Sequence, residues 1–217
     1  MKAAFKKYSW NPSLAEDAVK YLSLGTSLTA LKAIRKKWSD DKRNRFDALI
    51  DRLEFTDHLN VLLSNARNHH FRLDGHNLDG LDNDIPALRL YLILTCIDVC
   101  IGKRGETTKK FLNAIANLSP STRARLETNL RVTGGERIKP YLASYPRSWA
   151  KIAGCLYALR NGYTHGGVRF QYIDNSSLLQ IHRTYGNYGL AIAQGFDLYR
   201  ELKEVVAEIA RKAFNLS

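Results

Sequence analysis

The sequence predicts a mostly α-helical protein, and three observations carry that prediction. Apolar residues recur at three- and four-residue spacing through most of the chain. Asn11-Pro12, Ser27 and Ser119-Pro120 stand where such stretches begin, as capping residues and first-turn prolines do. Gly25, Gly102 or Gly105, and Gly134-Gly135 stand where they end. Nearly half of the residues are apolar (45%) against 25% charged, a folding composition with no low-complexity tract or internal repeat. A single helical domain over 1–217 is expected.

The first helix is expected from Pro12 to about Gly25, and the second from Thr26 or Ser27, with Leu28, Leu31, Ile34 and Trp38 on one face. Asp40-Asp41 caps a third, with Phe46, Leu49, Ile50 and Leu53 turned inward and a break near Thr56. These N-terminal helices occupy about 11–66. The Asn-, Asp-, Gly- and His-rich stretch that follows, about 67–85, reads as a long loop. Pro86 is expected to open an apolar helix, followed by helices over about 107–118 and 119–134 and one carrying Trp149, Ile152, Leu156 and Leu159. Core helices thus span about 86–165. Beyond Gly166-Gly167 the period changes to alternation, Val168-Arg-Phe170-Gln-Tyr172, answered by Leu178 to His182. That is the pattern of a small β-hairpin at 168–183. A C-terminal helix, about 190–214, carries Leu198, Leu202, Val205 and Ile209.

The formal net charge of +12 favours polyanionic partners, nucleic acid first among them. Cys96, Cys100 and Cys155 lie in apolar stretches, are odd in number and form no Cys-x-x-Cys pair. They read as reduced core thiols, which fits a cytoplasmic protein. Met1 to Lys7 is followed by no apolar run, so a secretory signal is not expected. The apolar stretch Leu88 to Ile101 is too short for a bilayer and contains Arg89 and Asp98, so no membrane association is expected.

The sharpest chemical signal is Leu159-Arg160-Asn161-Gly162-Tyr163-Thr164-His165-Gly166, directly after an apolar helical stripe. Arg160 offers a permanent planar charge matched to phosphate oxygens. His165 exchanges a proton near neutral pH. Asn161 donates and accepts, and so orients either an imidazole or a ribose hydroxyl. Five helical residues advance roughly 500°, leaving Arg160 and His165 about 140° apart. Asn161 and His165 share a face, with Tyr157 one turn earlier on it. Three arrangements close the gap: a deviation at Gly162, the reach of the arginine, or a second copy of the motif across a homodimer cleft. The third is the expectation here.

The Arg-Asn-x-x-x-His string at the end of an apolar helix resembles the signature of the HEPN superfamily. The likeness covers about eight residues, with Gly162 inside the motif and extra helices and a hairpin around the family's usual helical core. The resemblance implies a HEPN-like helical bundle and a metal-independent endoribonuclease active site. The 2′-hydroxyl would attack the adjacent phosphorus with His165 as acid or base, Arg160 stabilising phosphoryl charge, and Asn161 fixing the histidine or the sugar. It also implies no cofactor, a toxin or antiviral defence role, and an antitoxin or other regulatory protein as a further partner.

Other candidates lie outside the motif. Lys32, Arg35 and Lys36, in a basic run from Lys32 to Arg45 around Trp38, would bind RNA by phosphate contact and stacking, or form a solvated helix face. Arg123, Arg125, Arg131 and Arg137 pose the same choice. Asp98 interrupts an apolar helix, where an unpaired carboxylate is costly. It is read as an orienter of Arg160 or His165, as half of a salt bridge elsewhere, or as exposed. His69, His70 and His76 with Asp74, Asp79, Asp82 and Asp84 match no metal-ligand spacing, and no metal is expected. Two further readings stand beside the nuclease: a non-catalytic RNA- or nucleotide-binding module regulating a partner, and, last, a helical DNA-binding protein.

Overall fold

A computed structural model describes residues 12–22, 27–69, 72–73, 76–77, 81–102, 107–134, 142–162, 168–173, 176–181 and 188–216. Helices dominate. They are α1 (Pro12–Tyr21), α2 (Leu28–Lys36), α3 (Asp40–His69), α4 (Leu81–Ile101), α5 (Thr107–Ala116), α6 (Pro120–Asn129), α7 (Arg147–Gly162) and α8 (Leu198–Phe214). The strands are β1 (Arg72–Leu73), β2 (His76–Asn77), β3 (Leu130–Gly134), β4 (Val168–Ile173), β5 (Ser176–Ile181) and β6 (Tyr188–Ile192).

Two of the expected N-caps operate, while Asn11 lies outside the described residues and α3 is capped by Ser39, which accepts from the Lys42 backbone N–H, with Asp40 and Asp41 in the first turn behind it. Ser27 accepts from the Ala30 backbone N–H, and Ser119 accepts from that of Thr122 with Pro120 just behind it. Gly102 ends α4 at φ +75°, a conformation that costs glycine nothing. At the far end of α8, Asn215 takes the left-handed cap at φ 55°.

Several boundaries differ from expectation, each for a physical reason. α3 continues unbroken through Thr56, whose hydroxyl turns inward and donates to the Arg52 carbonyl at 2.5 Å. The stretch 67–85 is not one long loop. α3 extends to His69, β1 pairs antiparallel with β2, and α4 opens at Leu81, five residues before Pro86. Pro86, expected to open the helix, thus lies inside it. The helix expected over 119–134 stops at Asn129, and Leu130–Gly134, with β-branched Val132 and Thr133, becomes β3. Likewise the C-terminal helix begins at Leu198 rather than 190. Asp197 caps it, accepting from the Arg200 N–H, and residues 188–192 are β6.

The hairpin at 168–183 is present as β4 and β5, running from Val168↔Ile181 to Ile173↔Ser176. It belongs to a larger sheet of order β3-β6-β5-β4, with all pairs antiparallel. β3 and β6 escape the sequence reading because each is only five residues long, β3 following α6 directly and β6 separated from α8 by five residues, so the apolar spacing of the helix runs on into each.

α4 is the centre of the fold, packed by α3, α8, α7, α5 and β4. Its Leu90, Ile93, Leu94, Cys96 and Ile97 are buried together with Leu49, Leu53, Leu202, Val205 and Leu159. At one end Trp38, Phe46 and Phe214 form a triangle with ring centroids 5.1 to 5.5 Å apart. Asp57 ties α3 to α8, accepting from Tyr199 at 3.0 Å and from Lys203 at 2.7 Å. The three cysteines are buried and form no disulfide, as expected.

Candidate functional site

Arg160 lies in the last turn of α7, a helix anchored by buried Trp149, Ile152, Leu156 and Leu159. That anchoring fixes the direction of the turn which carries the guanidinium. The side chain reaches across to α4, where Asp98 Oδ2 accepts from Nε at 2.8 Å and from Nη2 at 2.7 Å. Its third nitrogen, Nη1, donates to the Oδ1 of the neighbouring Asn161. Arg160 is thus held on two sides, yet its side chain keeps 26% of its exposure. A planar cation fixed this way at a rim is preorganised, with little side-chain entropy left to lose on meeting an anion.

Asp98 settles as the partner of Arg160. Its other oxygen, Oδ1, is buried and accepts no hydrogen bond from any described residue. A buried carboxylate oxygen without a donor is costly, and its position beside Arg160 suits a hydroxyl or N–H donor.

His165, with Tyr163 to Gly167, lies outside the described residues. The carbonyl oxygen of Asn161, the residue expected to orient that histidine, accepts from Arg160. Tyr157 is half-buried: its hydroxyl is 2.6 Å from Thr108 Oγ1 and its ring packs on Phe111 at 5.7 Å. It therefore braces α7 against α5 at a point one turn before the motif.

The basic run around α2 divides. Lys32 and Lys36 are exposed, as a phosphate-binding surface needs. Arg35 is already engaged, donating Nη2 to Asp47 at 2.5 Å and Nε at 3.2 Å, with 13% of its side chain exposed. Trp38 is buried in the aromatic triangle, so stacking on RNA is corrected to a core role. Lys42 lies over its ring, 5.1 Å from the centroid. Burial and neighbouring Arg45 hold the Lys42 ammonium below its ordinary pKa. In the second basic region, Arg125 pairs with Glu201 at 2.8 Å and Arg131 donates to the Glu127 carbonyl at 2.6 Å, while Arg137 lies outside the described residues.

Among the described residues no cluster of histidine, cysteine and carboxylate side chains has metal-binding geometry. The side chains of His69, His70, Asp74, His76, Asp79, Asp82 and Asp84 lie outside those described. No helix among the described residues is long and apolar enough to cross a membrane.

One feature of this region escapes the sequence reading. Between α3 and α4 an open cleft of about 230 Å³ is lined by Arg52, Phe55, Thr56, Tyr91, Leu92 and Thr95. Phe55 is 54% exposed. The signal was available: Phe55 falls off the Phe46, Leu49, Ile50 and Leu53 face, so packing against the core does not account for it.

No family model, curated protein or solved structure matches this chain.

Proposed function

We propose that this protein is a metal-independent endoribonuclease of HEPN type, in which Arg160 and His165 act on one RNA phosphodiester. The observation that carries the reading is the preorganised, partly exposed guanidinium of Arg160 at the end of α7, which opens the chain's Arg-Asn-x-x-x-His string. Arg160 meets the charge that develops on the phosphoryl oxygens, a task worth several kcal/mol for a fixed donor. His165 takes the 2′-hydroxyl proton or protonates the 5′-oxygen leaving group. Asn161 keeps Arg160 in place and fixes the histidine or contacts the sugar. A surface with net charge +12 gathers the polyanion.

A homodimer that brings two motifs into one cleft, a cytoplasmic setting, and a toxin or defence role held in check by an antitoxin-like partner belong to the same proposal. A second reading has one observation in its favour. Because Asp98 and Asn161 already engage Arg160, the motif would also serve as a structural clasp in a module that binds RNA without cutting it.

The two separate when single-stranded RNA is incubated with the protein in excess EDTA. The nuclease reading expects cleavage that Arg160→Ala and His165→Ala each abolish, with circular dichroism showing both variants folded. Salt-sensitive binding without cleavage, indifferent to both substitutions, establishes the module instead.

A further inference from the structure

The cleft between α3 and α4 sits beside the proposed site, on the same helix. Tyr91, Thr95 and Asp98 are spaced four and three apart on α4 and so share one stripe of its surface. Thr95 is about 4.5 Å and Tyr91 about 10 Å along the axis from Asp98, close enough for neighbouring nucleotides of one strand.

The lining fits a flat, partly polar ring. Phe55 offers an exposed aromatic face and Tyr91 a second ring. Arg52 is pinned at the wall by its Nη1 donating to the Thr95 carbonyl at 3.3 Å. The Thr95 hydroxyl spends its proton on the Leu92 carbonyl at 2.7 Å, so its oxygen presents lone pairs. Donor and acceptor therefore edge an aromatic shelf. At about 230 Å³ the space falls below that of a pocket for a whole drug-sized ligand, but suits a single ring.

The charges around it narrow the choice further. The neighbouring stripe of α3 carries Asp51 and Glu54, which would repel a phosphate backbone laid along that helix. The Asp51 carboxyl is itself raised from its ordinary value, by burial first and then by Asp47 and Glu54. A base turned out of a strand whose backbone stays on the Arg160 side avoids that repulsion.

We infer that the cleft bounded by Arg52, Phe55 and Tyr91 receives a single unpaired base of the RNA, next to the phosphodiester at Arg160. This rests on the RNA reading above and adds to it a subsite for choosing where the strand is held. Stacking of one base on an aromatic side chain gives the expected size of effect, roughly ten-fold in affinity.

The test measures binding of a fluorescein-labelled, uncleavable 2′-O-methyl RNA 12-mer by fluorescence anisotropy. It uses the full-length chain with Arg160 intact, with and without Phe55→Ala. Phe55 is half exposed, so its truncation should leave the melting temperature nearly unchanged, and Phe55→Trp serves as the conservative control. The inference expects about ten-fold weaker binding for Phe55→Ala and restored binding for Phe55→Trp. It also expects that, in a series of such 12-mers each carrying one abasic residue, the Phe55→Ala loss vanishes when the abasic residue stands at the position that enters the cleft.

Equal binding by all variants overturns the subsite while leaving the nuclease proposal standing. Phe55-dependent binding by a protein that does not cleave RNA overturns the nuclease and keeps the subsite. Absence of RNA binding overturns both. A Phe55 effect confined to self-association or to a protein partner overturns the base-binding assignment.

Discussion

Arg160 and Asp98, 62 residues apart in sequence, meet through two hydrogen bonds to one carboxylate oxygen, and the other oxygen of Asp98 stays buried without a donor among the described residues. Both side chains are partly desolvated, so each needs the other. Asp98→Asn should cost about 1–2 kcal/mol of stability, less than for a fully buried pair because solvent reaches the guanidinium. Arg160→Ala should cost a similar amount, since it strands the Asp98 carboxylate. Urea unfolding of both single variants and the double variant checks this: non-additivity of about 1 kcal/mol is expected, and strict additivity would remove the coupling.

Trp38 and the exposed lysines of α2 should behave oppositely. Trp38→Ala opens the aromatic triangle and should cost about 3–5 kcal/mol. Lys32→Ala with Lys36→Ala should leave stability within about 0.5 kcal/mol. In the RNA-binding proposal it also lowers the salt dependence of affinity, by roughly one unit of slope for each phosphate that is no longer neutralised. Thermal melts and binding titrations at two salt concentrations measure both effects.

Glu208 sets an acid limit on the α6–α8 junction. Burial alone pushes its carboxyl up. Hydrogen bonds from Lys212 at 2.7 Å, Thr122 at 2.8 Å and the Ser119 backbone at 2.6 Å outweigh that and bring it below the ordinary 4.5. Its folded pKa is therefore below the unfolded one, so its stabilisation is complete above the ordinary glutamate range and fades as pH falls through the folded value. Glu208→Gln should lower the melting temperature at pH 7, and the gap to the parent should narrow below about pH 4. A gap independent of pH would mean that the charge contributes nothing.

The cysteines should be silent in the folded protein. Burial pushes Cys96 and Cys155 up to about 12 and Cys100 upward as well, so almost no thiolate exists at pH 8. Iodoacetamide at that pH should label none of them in the native chain and all three in guanidinium chloride. Rapid native labelling would show that α4 or α7 opens.

The helical frame was legible because capping is local chemistry: Ser27, Ser119-Pro120 and Gly102 mark their boundaries wherever the rest of the chain lies. Strands β3 and β6 were not, because their pairing with each other is long-range. Leu130↔Ile192 and Val132↔Leu190 pair residues about sixty apart, which no local pattern reveals. The candidate site divides along the same line. Arg160 and Asn161 stand out as neighbours in sequence, and Asp98 stands out as a charge in an apolar helix. That Asp98 and Arg160 belong together depends on α4 packing against α7. Arg35 and Trp38 misled as RNA contacts because their partners, Asp47 and Phe214, come from other helices and withdraw them from solvent.

Cleavage chemistry is tested most directly by the ends of the RNA fragments. Digestion of a single-stranded RNA in excess EDTA, followed by mass spectrometry, should give 2′,3′-cyclic phosphate and 5′-hydroxyl termini. Cutting should be lost at any position where the 2′-hydroxyl is replaced by hydrogen, and lost everywhere in His165→Ala. Fragments with 3′-hydroxyl and 5′-phosphate ends, or cutting that survives loss of the 2′-hydroxyl, would contradict attack by the ribose and with it the roles given to Arg160 and His165.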